Sequence, residues 1–223
     1  MEKLEKRILI RGTITAETPL HIGSMDVEEL AKVDMPILKD HNGKPYIPGS
    51  SLKGKVRSEA ERIARASGIK VCFPPRVDSM CEGTLCICCQ IFGSPKKAGK
   101  IKFRDAFCTN PPERTITRPG IGIDRKTGTS ARGALFEIEG VPAGTTFNFE
   151  IILENLTDEE LKLFKAALKS VQDSALGGQS SRGFGKINVK VTTLVTRTAG
   201  YYLGKENEEV KSGEEAAKWL GDC

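Results

Sequence analysis

The sequence of 223 residues contains two histidines, one tryptophan and no long apolar run, and these shortages narrow its possible functions. No apolar stretch approaches the roughly 20 residues that a membrane-spanning helix needs, so we expect no membrane partner. The first seven residues are rich in charge and no long apolar core follows them, which is not the pattern of a secretory signal. We therefore expect a cytoplasmic protein. Neither His21 nor His41 has an evident pairing with a cysteine, which argues against a catalytic thiol.

Charge is distributed unevenly along the chain. The formal net charge is +5, but Gly204–Cys223 contains six acidic and three basic residues, so the remainder carries a net charge of +8. A positive remainder suits a polyanionic partner. The same charge also fits a lysine-rich solvated surface, which is the simpler interpretation when charge is the only evidence.

Hydrophobic periodicity predicts alternating strands and helices. Apolar residues alternate in a first strand that contains Ile8 and Ile14, and in a later strand around residues 101–107 whose Ile101, Phe103 and Phe107 would face one way. The order β, α, β, hairpin, β, α, β predicts an α+β fold, namely a ferredoxin-like (RRM-like) βαββαβ core with insertions.

The two predicted helices have recognisable ends. The first would begin with Ser50 or Ser51 as its cap and end at Gly68. The second begins with a capping box formed by Thr157 and Glu160, and its apolar residues recur at helical spacing.

We predict a single domain over residues 1–198. It carries three insertions: a long loop at 19–48, a cysteine-rich insertion at 70–95 and a protruding hairpin at 111–133 that is rich in charge, glycine and proline. Loops of such length in a compact domain are often functional. Residues 199–223 would form an acidic C-terminal tail, either helical or mobile.

Five of the seven cysteines are clustered with the spacing C-x8-C-x4-C-x-C-C, at Cys72, Cys81, Cys86, Cys88 and Cys89. In a reducing compartment such a cluster indicates a metal before a disulfide. Cys86 and Cys89 have the C-x-x-C spacing of one edge of a zinc tetrahedron, and Cys72 and Cys81 could supply the other edge. We therefore predict a structural Zn²⁺, with the choice between Cys88 and Cys89 left open.

Two groups of basic residues have a pattern that suits phosphate. Lys53, Lys55 and Arg57 follow a Gly-Ser-Ser helix start, where free backbone amides and the helix dipole favour anions. An ordinary solvated helix face fits that pattern equally well on sequence alone. Arg182 lies within, and Lys186 beside, a glycine-rich loop that contains Gly177 and Gly178. Glycines let the backbone approach a ligand closely, and arginine offers a forked donor to phosphate. The alternative interpretation of this loop is a plain turn.

Six segments in this order and spacing resemble the RAMP superfamily of CRISPR proteins and, within it, the backbone subunit of type III complexes, most like type III-A. The resemblance spans roughly Ile8 to Val195. The segments are LHIGS at 20–24, KVDMPILKD at 32–40, PYIPGSSLKGKVRS at 45–58, IKFRDAF at 101–107, GIGIDRKTGTSARGALFEIEGVPAGTTFNFEI at 120–151 and LGGQSSRGFGKI at 176–187.

The resemblance implies a subunit that assembles with further copies of itself along a guide RNA (crRNA), together with the other subunits of the complex. Such a subunit cuts the paired target RNA at intervals of about six nucleotides. It implies a catalytic role for Asp34 within VDMP, assisted by Mg²⁺ or Mn²⁺, with the 2′-hydroxyl beside the scissile phosphate as nucleophile. Composition alone would make Asp34 one solvated acid in a loop with Asp26, Glu28, Glu29 and Asp40.

The resemblance also implies that RNA is bound by a set of mainly basic residues. In the family the hairpin is a thumb that pushes between base pairs, and some members carry a zinc site in an insertion. The expected RNA-binding residues are His21, Lys53, Lys55, Arg57, Arg118, Arg125, Lys126, Gly177, Gly178, Arg182 and Lys186, and the expected metal ligands are Cys72, Cys81, Cys86 and Cys89.

Three other functions remain as alternatives. A non-cleaving backbone subunit would bind RNA in the same way, but Asp34 favours cleavage. A standalone RAMP ribonuclease that processes guide precursors usually has a histidine-based site, and the scarcity of histidine argues against it. A zinc-stabilised domain that binds no RNA would leave the six matching segments unexplained.

Overall fold

The computed structural model describes residues 3–24, 33–74, 80–81 and 83–221. In chain order its main elements are β1 (Lys6–Ala16), β2 (Tyr46–Ile47), α1 (Gly49–Ala66), α2 (Ile87–Phe92), β3 (Ile101–Phe103), β4 (Ala106–Cys108), β5 (Ile116–Ile123), β6 (Ser130–Gly140), β7 (Thr146–Glu154), α3 (Asp158–Asp173), β8 (Ile187–Thr198), α4 (Ala199–Tyr202), β9 (Glu209–Ser212) and α5 (Glu214–Gly221).

The central sheet has the strand order β2-β4-β7-β1-β8-β9, and β3 also pairs with β7. All its pairings are antiparallel, and β1 lies between β7 and β8. The four core positions are filled by β1, by β3 with β4, by β7 and by β8, separated by helices α1 and α3. This order confirms the predicted ferredoxin-like βαββαβ core.

Helices α1 and α3 pack against each other and contribute to one continuous core with the sheet. Ile10 and Ile14 of β1 and Phe147 of β7 meet Val56 of α1 and Phe164 of α3 there, each at most 3% exposed. The capping box of α3 is present, with Glu160 bonded to the amide of Thr157. Removing apolar surface from water stabilises the folded state by about 25 cal/mol for each Å² that is buried.

Helix α1 begins differently from the prediction. Its N-cap residue is Pro48 and not Ser50 or Ser51, and the side chain of Pro48 makes no capping hydrogen bond. The first amide, that of Gly49, instead donates to the carboxylate of Asp105 at 2.7 Å. Because Asp105 lies far along the chain, no local pattern could indicate this cap. Gly68, in a left-handed conformation, follows the end of the helix as predicted.

The predicted strand at 101–107 is broken into β3 and β4. Arg104 and Asp105 interrupt it, and the interruption changes which side chains face the core. Ile101 and Ala106 are buried, whereas Phe107 is 54% exposed and stacks on Tyr46 with ring centroids 5.9 Å apart. The prediction that Phe107 faces the same way as Ile101 is therefore wrong.

The predicted hairpin is present and extends beyond residue 133. Strands β5 and β6 form a separate two-stranded sheet, so the segment 133–140 belongs to the hairpin and not to the central sheet. Gly120 faces Phe136 across this sheet, and a Cβ on Gly120 would lie 2.3 Å from the ring. The glycine therefore lets the aromatic ring lie flat across the partner strand.

The segment at 199–221 packs on the domain that we delimited at residue 198. Strand β9 extends the central sheet by pairing with β8, and Ala216 and Leu220 of α5 are buried in the common core. In the part of the chain that the structure describes, no helix combines the length and the apolar character that crossing a membrane requires.

The close approach at the start of α1 generates a stability prediction. A Cβ on Gly49 would lie 2.5 Å from the carbonyl oxygen of Phe103, whereas one on Gly54 would meet nothing within 4 Å. We expect Gly49→Ala to lower the free energy of unfolding by about 1–3 kcal/mol, as overpacking does. The matched variant Gly54→Ala should raise it by up to about 1 kcal/mol, because alanine favours an exposed helix interior. Thermal denaturation of both variants measures the difference, and equal melting temperatures would contradict it.

Candidate nucleic-acid interface and metal centre

The carboxylate of Glu139 organises the hairpin base, which we define as residues 115–117 and 137–140. It accepts hydrogen bonds from the amide of Ile37 at 2.9 Å and the hydroxyl of Thr115 at 2.7 Å, and it pairs with the ammonium of Lys39 at 2.6 Å. Burial alone would raise the pKa of Glu139, but these partners outweigh burial and hold the pKa below its ordinary value of 4.5. The charged carboxylate therefore ties the segment 33–40 to the hairpin.

Asp34 lies on the segment that Glu139 anchors. Its Oδ2 accepts a hydrogen bond from the backbone amide of Glu137 at 2.7 Å, and Met35 exchanges backbone hydrogen bonds with Glu137 and Glu139. The side chain of Asp34 remains exposed. The structure thus presents the carboxylate of Asp34 to solvent at the hairpin base, beside the exposed Glu137.

The other acids of this loop have different positions. Asp26, Glu28 and Glu29 lie outside the described residues. Asp40 accepts from the amides of Asn42 and Lys44, both at 2.9 Å, which closes its own turn and lowers the pKa of its carboxyl.

The glycine loop, which we define as residues 177–185, is linked to the hairpin base through His21. The amide of Gly178 donates to the carbonyl of His21 at 2.8 Å, and a Cβ on Gly177 would lie 2.3 Å from that oxygen. The ring of His21 donates from Nδ1 to the carbonyl of Glu139 at 2.7 Å and is 7% exposed. His21 therefore joins the glycine loop to the hairpin base and has little ring surface left for RNA.

Arg182 belongs to the glycine loop and faces the hairpin. Its Nη1 donates to Oε1 of Gln179 at 2.6 Å, and its guanidinium lies 5.3 Å from the ring centre of Phe136. Gln179 also reaches the sulfur of Met35 at 3.4 Å. Arg182 is thereby placed beside the segment that carries Asp34, and both side chains are exposed.

A second arginine also lies over an aromatic ring: the guanidinium of Arg118, in β5, is 4.9 Å from the ring centre of Phe184. The structure therefore gathers Asp34, Arg118, Arg182, Gly177 and Gly178 at the hairpin base. Sequence reasoning did not single out Glu139, Gln179, Phe136 or Phe184, which hold these residues in place. A glutamine in the left-handed conformation, as Gln179 is, leaves no signal in sequence periodicity.

The remaining basic residues of the prediction lie apart from this group. Arg125 and Lys126 are exposed at the hairpin tip, in the turn that Asp124 closes through the amide of Lys126 at 2.7 Å. Lys186 pairs with Glu17 at the surface at 2.9 Å.

The cations of α1 differ in their availability. Lys55 pairs with Glu59 at 2.9 Å and Arg57 with Glu61 at 2.8 Å, whereas Lys53 makes no ion pair within the part of the chain that the structure describes. The sequence predicted free amides for a phosphate at the helix start, but the amide of Gly49 is not free, because it already donates to Asp105. An RNA-binding role for Lys53 stays a prediction.

The cysteine cluster, formed by Cys72, Cys81, Cys86 and Cys89, has its four sulfurs within 4.8 Å of one another. A tetrahedral zinc ion with zinc–sulfur distances of about 2.3 Å would separate its ligand sulfurs by about 3.8 Å, so the cluster could hold such an ion. Cys88 is buried and lies outside this group, whereas Cys89 belongs to it.

The thiols of the cluster are not equivalent. Burial alone would raise the pKa of Cys86, but hydrogen bonds with the backbone at Cys72 and Cys89 outweigh burial and lower its pKa to about 7. Burial raises the pKa of Cys72 and of Cys89. Cys86 is therefore better prepared than Cys72 or Cys89 to be a thiolate at neutral pH.

The role of Glu139 predicts a pH-dependent stability. Glu139→Gln should lower the free energy of unfolding by about 1–3 kcal/mol at neutral pH, because the amide cannot satisfy both Ile37 and Lys39. Since the folded pKa of Glu139 lies below 4.5, its contribution is complete above that pH and is lost as the pH falls through the folded pKa. Unfolding by urea at several pH values should show a weaker acid dependence in Glu139→Gln. The exposed neighbour provides the control, since Glu137→Gln should stay within about 0.5 kcal/mol.

Comparisons with known proteins agree with this geometry. The family described as the RAMP superfamily matches residues 13–188. The protein named CRISPR system Cms endoribonuclease Csm3 of Methanocaldococcus jannaschii is 33% identical, over 95% of this chain and 90% of its own length. The protein of the same name from Streptococcus thermophilus is 35% identical, over 91% of this chain and 96% of its own length.

A solved structure supports the same assignment. The whole of this chain aligns with 98% of a chain in the crystal structure of the Csm3–Csm4 subcomplex in the type III-A CRISPR–Cas interference complex, with a TM-score of 0.63 and 26% identity. Together with the matched family and the relatives above 30% identity, this fold shows that the chain belongs to the RAMP superfamily and, within it, to the Csm3 family.

Proposed function

We propose that this chain is a guide-RNA-binding backbone subunit of a type III CRISPR interference complex and that it cleaves target RNA paired with the guide. The observation that carries the proposal is the exposed carboxylate of Asp34, held at the base of the hairpin, in a family whose named relatives are endoribonucleases. Further copies of the chain and the other subunits of the complex would be its protein partners.

The chemistry that the hairpin base supports is phosphodiester cleavage. Asp34 would orient or deprotonate the 2′-hydroxyl beside the scissile phosphate, a general-base role. Arg182, which Gln179 and Phe136 hold nearby, would donate to a phosphate oxygen through its planar fork. The backbone amide of Glu137 donates to the carboxylate of Asp34 and holds that side chain in position, so only the RNA strand has to be oriented for the reaction.

A divalent ion fits this site as a proposed cofactor. An exposed carboxylate beside an RNA phosphate offers the oxygen ligands that Mg²⁺ or Mn²⁺ takes. When bound, such an ion would neutralise charge that develops on the phosphate. Asp34 is the residue of this chain that would hold it.

The cysteine cluster supports a separate structural proposal. Its four sulfurs, partly or fully buried and with thiolate ligands available, suit Zn²⁺ in a closed site. The ion would connect Cys72 to the start of α2, where Cys86 is the N-cap residue and Cys89 lies in the first turn.

The alternative of a standalone ribonuclease with a histidine-based site finds little support in the geometry. His21 is buried and bonded to backbone, and His41 lies in an exposed turn where its ring contacts Asn42. The exposed carboxylate of Asp34 also favours a cleaving subunit over one that only binds RNA.

Asp34 provides the direct test of catalysis. In the assembled complex, Asp34→Ala should reduce the rate of target cleavage by about 100-fold or more, the contribution typical of a general base, and should leave target binding nearly unchanged. Asp34→Asn keeps the acceptor for the Glu137 amide and should lose activity equally, because the charge is what the reaction needs. Single-turnover cleavage of labelled target RNA measures both rates.

Asp40→Asn is the matched control, because it removes a loop carboxylate and keeps the acceptor of its own turn. A complex with this variant should cut at the normal rate.

A 2′,3′-cyclic phosphate on the upstream product would support the 2′-hydroxyl as nucleophile, and a plain 3′-hydroxyl would indicate water. Normal cleavage by Asp34→Ala would end the catalytic assignment and direct attention to Asp26 or Asp40.

Lys53 provides a test of RNA binding. Lys53→Ala should weaken binding to unrelated RNAs by the same factor, because phosphate contacts carry no sequence information. The slope of log K against log salt concentration should fall by about 0.7, the value for one neutralised phosphate of a single strand. Lys211→Ala, which removes a lysine from the acidic C-terminal segment, is the control. If Lys53→Ala keeps the parent slope, Lys53 does not contact phosphate.

A further inference from the structure

The guanidinium of Arg57 faces the cysteine cluster. Its Nη2 lies 3.7 Å from the sulfur of Cys89, its Nη1 donates to the carbonyl of Gly93 at 3.0 Å, and its Nε donates to Glu61 at 2.8 Å. The side chain is 16% exposed. All three nitrogens of this side chain are therefore directed into the protein.

Arg65, two turns further along α1, holds the other end of the cysteine-rich segment. Its Nη2 donates to the carbonyl of Cys72 at 3.0 Å, and its guanidinium lies 3.9 Å from the ring centre of Phe73. Glu61 lies between the two arginines, bonded to Arg57 and 3.7 Å from Arg65. One face of α1 therefore holds both Cys72 and Cys89, which come from distant parts of the insertion.

A buried metal site made of four thiolates needs a positively charged neighbour. Four thiolates with one divalent ion carry a net charge of −2, and burying this charge is costly unless it is compensated. A guanidinium that donates N–H to a ligand sulfur supplies the opposite charge and fixes the direction of that ligand. Arg57 donates to Cys89 in this way, and Glu61 and the carbonyl of Gly93 fix the plane of its fork. Because Arg57 and Arg65 share the single acid Glu61, the three side chains leave a net positive charge beside the cluster.

We propose that Arg57 is a positioning residue of the cysteine centre, which holds Cys89 for the metal, and that it is not a contact for RNA. This inference rests on the proposed occupancy of the cluster by a metal ion. It replaces the RNA-binding role that the sequence pattern gave to Arg57. On the same helix, the phosphate role remains with Lys53, one turn nearer the N-terminus.

The experiment uses the full chain loaded with Co²⁺, whose thiolate absorption bands report the ligand sulfurs directly. Arg57→Gln should speed the release of Co²⁺ to a chelator by about tenfold or more, the usual effect of losing a partner of a metal ligand, and should change the absorption bands. Arg57→Lys, which keeps the charge without the fork, should release Co²⁺ at an intermediate rate. Arg62→Gln is the matched control, since Arg62 is an exposed, ion-paired arginine of α1 that is not directed at the cluster, and it should behave like the parent chain.

RNA binding by the same variants separates the two roles. Arg57→Gln should leave the salt dependence of RNA binding at its parent slope. A parent rate of Co²⁺ release in Arg57→Gln, or a loss of slope equal to that of Lys53→Ala, would overturn the inference. Should Arg57→Gln fail to fold by circular dichroism, Arg57→Lys decides through its release rate. A parent chain that binds no Co²⁺ would overturn the inference together with the metal proposal, while cleavage by the assembled complex tests the RNA function independently.

Discussion

A buried carboxylate, that of Glu139, connects three separate parts of the chain at the hairpin base. Burying a charge is unfavourable unless partners replace the lost water, and here a lysine, a hydroxyl and a backbone amide do so. The backbone of the same residue also accepts from His21, which in turn holds the glycine loop. The positions of Asp34 and Arg182 depend on these contacts, since neither residue lies in the central sheet. The catalytic geometry that we propose therefore derives from a network that includes no proposed catalytic group.

The central sheet and the helices followed from local patterns, because alternation and helical spacing report directly which face of an element is buried. The capping box at Thr157 and the C-x-x-C spacing of Cys86 and Cys89 are equally local, and both lie where the sequence placed them. Features that depend on distant partners were not predictable in this way. The cap of α1 by Asp105 and the exposure of Phe107 are two such features, since both result from the break between β3 and β4.

The basic residues show the same limit of sequence patterns. Lys53, Lys55 and Arg57 are alike in the sequence, yet each has a different environment in the fold. Lys55 is paired with an acid of its own helix, Arg57 is directed at the cysteine cluster, and Lys53 has no ion pair among the described residues. A net positive charge therefore says little about how many cations are available to a polyanion, because intramolecular ion pairs use several of them.

The position of β1 in the middle of the sheet has a consequence for how the protein is made. Ile14 of β1 pairs in register with Phe147 of β7 on one side and with Val189 of β8 on the other. The ribosome releases β1 first and both of its partners much later, so the strand stays without its sheet neighbours during most of synthesis. Sheets that depend on such distant pairings form slowly, and their apolar strands are open to aggregation in the meantime. Arg7 and Arg11, which flank the apolar run of residues 8–10 in β1, give the nascent strand charges that oppose such association.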